Sequence, residues 1–333
     1  MPVASIRWWL IVVVAFVVSS ANSLQSRVNG AASVVTDDPI VAAMMSVGGG
    51  FVSATVLLLV FPGARRAALN LFSAKARETI KWWQYFAGFG GGIFIFGQAY
   101  VVPAYGVSLY IISVVTGQTL ASLWVDHVGL GPAGRQLVSR LRVLAALLAI
   151  AGVILAAFGR DSELGVGLAA VSDGLFAGVA TSIQYALNGR IGSAVSSALV
   201  TSSLNFAMGF SLLTVMMLIR WVSTSEVPGG VPSLVTSPEL WLGGPLGLLF
   251  IGSATLFVRH LGVLIFSVVS VLGQLAGALV LDVIYPTSGT HISGYLYVGL
   301  ALVALGVILG GLGRAVGPAR AADGTDSPAN RPW

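Results

Sequence analysis

The chain contains no cysteine, only three histidines, and 12 acidic against 17 basic side chains in 333 residues. Without cysteine there is no disulfide, no thiolate metal site and no cysteine nucleophile. Charged residues amount to 9% of the chain, where soluble globular chains carry about a quarter, so there is too little polar surface to face water. What stands in its place is 56% apolar residues and a mean hydropathy of +0.92. This composition excludes a pair of soluble domains and implies an all-α polytopic membrane protein.

Apolar runs interrupted by charge or by Gly, Pro and Ser predict ten transmembrane helices. They fall near residues 8–28, 39–62, 84–103, 106–126, 141–159, 164–187, 195–219, 241–258, 261–282 and 292–313. Runs such as Val143–Ala157 lack the alternation of a spanning β-strand. The shortest connections lie around Pro103–Tyr105 and Arg259-His260. Arg7, the apolar Trp8–Val18 and the small Ser19-Ser20-Ala21 also have the form of a signal peptide. The internal repeat takes in Gln25 and Asn29 and favours a retained helix instead.

The basic residues orient the chain. With the N-terminus in the cytoplasm, only Arg27, Arg160 and Arg220 lie outside, and the other 14 of the 17 lysines and arginines lie inside. Both termini are therefore expected in the cytoplasm, and the pI near 9.8 reflects topology rather than nucleic-acid binding. Gly63–Trp82 mixes Arg65, Arg66, Lys75, Arg77 and Lys81 with Leu69, Leu71, Phe72 and Ile80. It reads either as a helix lying on the anionic inner leaflet or as a solvated loop. Ser223–Pro238 reads as an external loop, and residues 315–333 as a disordered cytoplasmic tail.

The two halves repeat each other. Ser23-Leu24-Gln25-Ser26-Arg27-Val28-Asn29-Gly30 aligns with Ser182-Ile183-Gln184-Tyr185-Ala186-Leu187-Asn188-Gly189 at a separation of 159. At a separation of 156, Gly88-Phe89-Gly90-Gly91 meets Gly244-Pro245-Leu246-Gly247, and Gly106-Val107 meets Gly262-Val263. Gly117-Gln118 and Asp126 meet Gly273-Gln274 and Asp282 at the same separation. Five spans per half is an odd number, so the second half, 161–314, enters the membrane opposite to the first, 1–160. Inverted repeats are the architecture of many secondary transporters, with the substrate at their interface near the midplane.

Gly88-Phe89-Gly90-Gly91, Pro103-Ala104-Tyr105-Gly106, Gly117-Gln118, Asp126-His127-Val128-Gly129 and Gln25…Asn29-Gly30 resemble the YdcZ-like branch of the drug/metabolite transporter superfamily in its fused ten-span form. The resemblance covers roughly residues 8–313 and is better in the first half. The second half departs from it at Arg259-His260 and at Ile284-Tyr285. It implies a ten-helix transporter fold and names no substrate.

Asp173, about nine residues into the sixth span, is the acid placed deepest in the hydrocarbon. Either it carries a proton or faces a cation, or it is a neutral carboxyl bonded to a neighbouring helix, or the span starts later and leaves it near the outer interface. Gln118 and Gln274, each beside a glycine in mid-span, are candidate substrate contacts or interhelical glue. Gln25 and Asn29 at one mouth, Gln184 and Asn188 at the other, with Asp126 and Asp282 at opposite ends, have the inverted placement of two gates. Helix capping and surface solvation are the alternative. Three histidines far apart at span ends do not make a metal site, and neither a phosphate loop nor a nucleophile elbow is present. The expectation is a cell inner-membrane transporter of a small metabolite or drug-like compound working by alternating access, not an enzyme. It needs no cofactor or metal, sits among membrane lipids as a monomer or homodimer, and binds no nucleic acid. The alternative is a non-transporting regulatory or assembly component of the membrane.

Overall fold

The computed structural model describes residues 6–132, 134–158, 164–225 and 228–315. Two expectations fall outside them: Arg160 as an external basic residue, and nearly all of the tail from Ala315 on. The described residues are 86% helical and contain no strand. It opens with α1 (Ile6–Ser19) and α2 (Ala21–Thr36), parted only by a turn at Ser20, followed by α3 (Pro39–Val60). Then come α4 (Pro62–Leu69), α5 (Ala74–Thr79), α6 (Phe89–Tyr105), α7 (Val107–Val128) and α8 (Arg140–Phe158). The second half contributes α9 (Leu164–Val195), α10 (Ala198–Thr224), α11 (Gly243–Ile284) and α12 (Gly294–Ala315).

Among the described residues, eight helical stretches are long and apolar enough to cross a membrane. The expected sixth and eighth spans are helical too, as α9 and the first limb of α11, but do not count among those eight. The first span is longer than the sequence suggested, running from Trp8 to Thr36. Its polar second half, which hydropathy cuts off at 28, is kept helical by burial of Gln25, Ser26, Asn29 and Ser33 against neighbours.

The segment 63–82 is not one helix. Ser73 accepts the Ala76 N–H at 3.2 Å and starts α5 anew, while Asn70–Phe72 forms a single tight turn. Ala76 and Ile80 turn inward onto Leu187 and Ile191, and Leu69 and Phe72 stay exposed.

Two glycines turn the chain where the sequence expected its shortest connections. Gly106 (φ 84°, ψ 165°) separates α6 from α7, and Gly262 (φ 78°, ψ 160°) bends α11 into two limbs. That region of backbone space is essentially closed to residues with a Cβ. The two turns stand 156 residues apart, at matching positions of the repeat. The main core joins both halves, with Tyr110, Ile111 and Ile112 fully buried and the Tyr110 hydroxyl donating to the Phe94 carbonyl at 2.6 Å.

Candidate substrate pathway

The halves meet through contacts that recur with their roles exchanged. A Cβ on Gly91 would stand 2.9 Å from Nε2 of Gln184, and one on Gly247 would stand 2.7 Å from Nε2 of Gln25. A Cβ on Gly117 would collide with the Leu175 carbonyl, and one on Gly273 with the Phe16 carbonyl. Gly88 lies on the backbone of Asn205 as Gly244 lies on that of Ser46. Each pair maps onto the other by the separations of 156 and 159 read from the sequence. Glycine permits this close approach of helices, which in lipid is driven by packing rather than by the hydrophobic effect.

The same exchange governs the mid-span amides. Gln118 Nε2 donates to Thr181 Oγ1 at 3.1 Å, and Asn22 Nδ2 donates to Gln274 Oε1 at 2.6 Å. Asn22 and Thr181 are repeat mates, so each glutamine reaches across to the equivalent position of the other half. Gln274 is buried; its Nε2 also donates to the Ser270 carbonyl and hydroxyl at 3.3 Å, and the Ser23 hydroxyl donates to its carbonyl at 2.6 Å. Gln118 is half-buried. The structure thus places both glutamines between the halves, one on each side of the repeat interface, and does not bond them to each other.

The polar residues expected at the two mouths are enclosed. Gln25, Asn29 and Gln184 are buried, and Asn188 is half-buried. Asn29 Nδ2 donates to Gln98 Oε1 at 2.6 Å. Several interior atoms have no hydrogen-bond partner among the described residues: Asn29 Oδ1, Gln98 Nε2, Ser46 Oγ, Asn188 Oδ1, and both amide atoms of Asn205. An unmatched buried polar group costs about 1–3 kcal/mol.

The carboxylates divide into three kinds. Asp282, buried, accepts the N–H groups of Val107 and Ser108 and so caps α7. Asp126 is paired with Arg142 at 2.6 Å, and Arg142 is itself buried. Asp173 is half-buried with no hydrogen bond or ion pair among the described residues. Its neighbour Gly174 packs against Ser113 and the Tyr110 carbonyl.

Several of these residues were invisible to pattern reading. Asn22, Ser46, Gln98 and Asn205 are single polar residues in apolar runs, and only applying the 159-residue repeat to every polar position would have paired Ser46 with Asn205. Asp38 was missed as well. It caps α3 through the Ile40 and Val41 N–H groups at 2.9 and 3.2 Å, and takes two bonds from Arg220 at 2.9 and 2.5 Å. Burial pushes this carboxyl up, but the Arg220 guanidinium together with the Gly229 and Val41 N–H groups outweighs it, and the acid is held below its ordinary range. Among the described residues no three His, Asp or Glu side chains gather as metal ligands.

A family model described as "Putative inner membrane exporter, YdcZ" matches residues 10–155 and 170–309. None of the curated proteins matches the chain in sequence. Five solved chains do match, one of them described only as "Crystal structure of protein". It superposes with a TM-score of 0.54 at 18% identity, over 93% of this chain and 98% of its own, a likeness of fold.

Proposed function

This chain belongs to the YdcZ family of inner-membrane exporters, and from that membership we propose that it moves a small polar compound by alternating access of two inverted five-helix halves. The family and the multi-pass helical fold fit a membrane transporter rather than an enzyme. The observation that carries the mechanism is the exchange of contacts between halves, above all Gln118 with Thr181 against Gln274 with Asn22. When two halves make equivalent contacts, swapping their local conformations gives a second state of similar energy, open to the other side. Gln118, Gln274 and Asp173 then line the path. Gln25, Asn29, Gln184, Asn188, Asp126 and Asp282 lie at its ends.

Asp173 is our candidate for the coupling proton. It is a carboxyl in a membrane helix without a cationic partner among the described residues, and such a residue is costly unless it works. Both termini are placed in the cytoplasm on the strength of the lysine and arginine distribution. Flux assays with purified protein in liposomes test the proposal. Compounds that stabilise the protein against heat should cross the vesicle membrane, faster under an imposed pH gradient. Absence of flux for every stabilising compound would sink it.

A further inference from the structure

The unmatched polar atoms inside the bundle are not scattered. Asn29 and Asn188 are 159 residues apart, as are Ser46 and Asn205, so the two halves carry the same defect at the same repeat positions. Among the described residues, Ser108 and Ser139 also carry unmatched atoms, at the starts of α7 and α8, and so does Arg190, whose guanidinium donates to the Gly129 carbonyl at 2.8 Å. In the first cluster, Asn29 on α2, Ser46 on α3 and Gln98 on α6 are each no more than 1% exposed. Oδ1 of Asn29 and Oγ of Ser46 both lie against the Cβ position of Gly243, so two of the three unmatched atoms share one spot. At the matching positions of the second half, Asn205 is 6% exposed with both amide atoms unmatched, and Oδ1 of the half-buried Asn188 is unmatched too.

Packing contacts also recur at these separations, but an unmatched buried donor or acceptor kept in both halves is costly unless something fills it. A ligand that passes both halves would do so. The chemistry of the atoms then narrows the ligand. Asn29 and Gln98 share one bond, and whichever way round the two amides are written, one donor and one acceptor remain. Asn205 adds a further donor and acceptor, and Ser46 a hydroxyl that is both. No Lys, Arg, Asp or Glu belongs to either set. An anion would call for donors alone and a cation for acceptors alone, whereas mixed donors and acceptors suit an uncharged group such as an amide or a hydroxyl.

We propose that Asn29–Ser46–Gln98 and its repeat mate Asn188–Asn205 are two equivalent stations for an uncharged, hydrogen-bonding substrate, which occupies their unmatched atoms when the helices part. This rests on the transporter reading above. The first station is the fuller one, because the repeat mate of Gln98 is Ala254.

The test uses full-length protein in lipid nanodiscs, heated with neutral polyols, carboxamides and nucleosides, and with tetraalkylammonium ions and dicarboxylates as charged controls. At least one neutral class should raise Tm in a dose-dependent way, and the charged controls should not. Ser46→Ala and Asn205→Leu delete unmatched atoms, so each should leave the ligand-free Tm unchanged or raise it, while at least halving the ligand-induced shift. If Asn205→Leu fails to fold, Ser46→Ala, which removes one oxygen, decides the matter. Failure of every neutral class to raise Tm overturns the proposal. So does an undiminished shift in the variants, or a fall in the ligand-free Tm of Ser46→Ala. A neutral compound that binds at these stations but never crosses liposomes would sink the transporter reading and leave the stations standing. A charged compound carried at the parent rate by both variants would do the reverse.

Discussion

The carboxylate of Asp282, near the end of α11, accepts the N–H of Val107 at 2.9 Å and so closes the start of α7 from the opposite half of the chain. The Ser108 N–H joins it at 2.7 Å, and a Cβ on the intervening Gly106 would stand 3.1 Å from the same carboxylate. A negative charge at a helix N-terminus meets two donors that have no partner within the helix, together with the positive end of its dipole. The loop beyond Asp282 reinforces the link, with Thr287 and Ser288 hydroxyls donating to the Val102 and Pro103 carbonyls at 3.1 and 3.3 Å.

Asp282→Ala should therefore destabilise the protein by about 2–4 kcal/mol, because two buried N–H groups lose their acceptor. Asp282→Asn keeps one acceptor oxygen and should lose less. Thermal unfolding in nanodiscs reads both, and equal losses would mean that the cap is not what the carboxylate supplies.

Gln118→Leu and Gln274→Leu should each slow transport, and the double variant should be no slower than the worse single one if both contact one substrate. Full flux in the double variant would remove the pair from the path. A tryptophan at either position should block flux while leaving the protein in the membrane.

Asp173→Asn should abolish the pH dependence of transport and leave the yield of folded protein nearly unchanged, because no ion pair is broken among the described residues. Flux that keeps its pH dependence in this variant would reduce Asp173 to a structural residue.

Asp38 gives the stability a defined acid limb. Its carboxyl lies below the ordinary aspartate value in the folded state, so its contribution is fully present above that ordinary value and fades as pH falls through the lower folded one. Asp38→Asn should lower Tm at neutral pH and flatten the decline of Tm below about pH 4. A parallel decline in the parent and the variant would show that other carboxylates set the acid limit.

Cysteines at Leu69 and Ser233, both exposed positions in this cysteine-free chain, report topology without background. An impermeant thiol reagent should reach Ser233→Cys in intact cells and Leu69→Cys only after lysis. The opposite pattern would reverse the orientation taken from the basic residues.

Composition and repetition made much of this protein legible before any coordinates. A chain with 9% charged residues must be membrane-embedded, since there is no surface to present to water. Residues that recur in order at fixed separations marked Gly106 with Gly262, and Gln118 with Gln274, as equivalent. The fold gives those pairs the same backbone turn and the same reach across the interface. The length of the first helix, the break in the 63–82 segment, the pairing of Asn29 with Gln98, the capping of α7 by Asp282 and the Asp38–Arg220 link were settled only by tertiary structure. Each joins residues on different helices or depends on burial by a neighbour, and hydropathy along one strand of sequence carries no term for what lies beside it. A polar residue in a membrane helix costs the same wherever its partner is; only packing decides whether it has one.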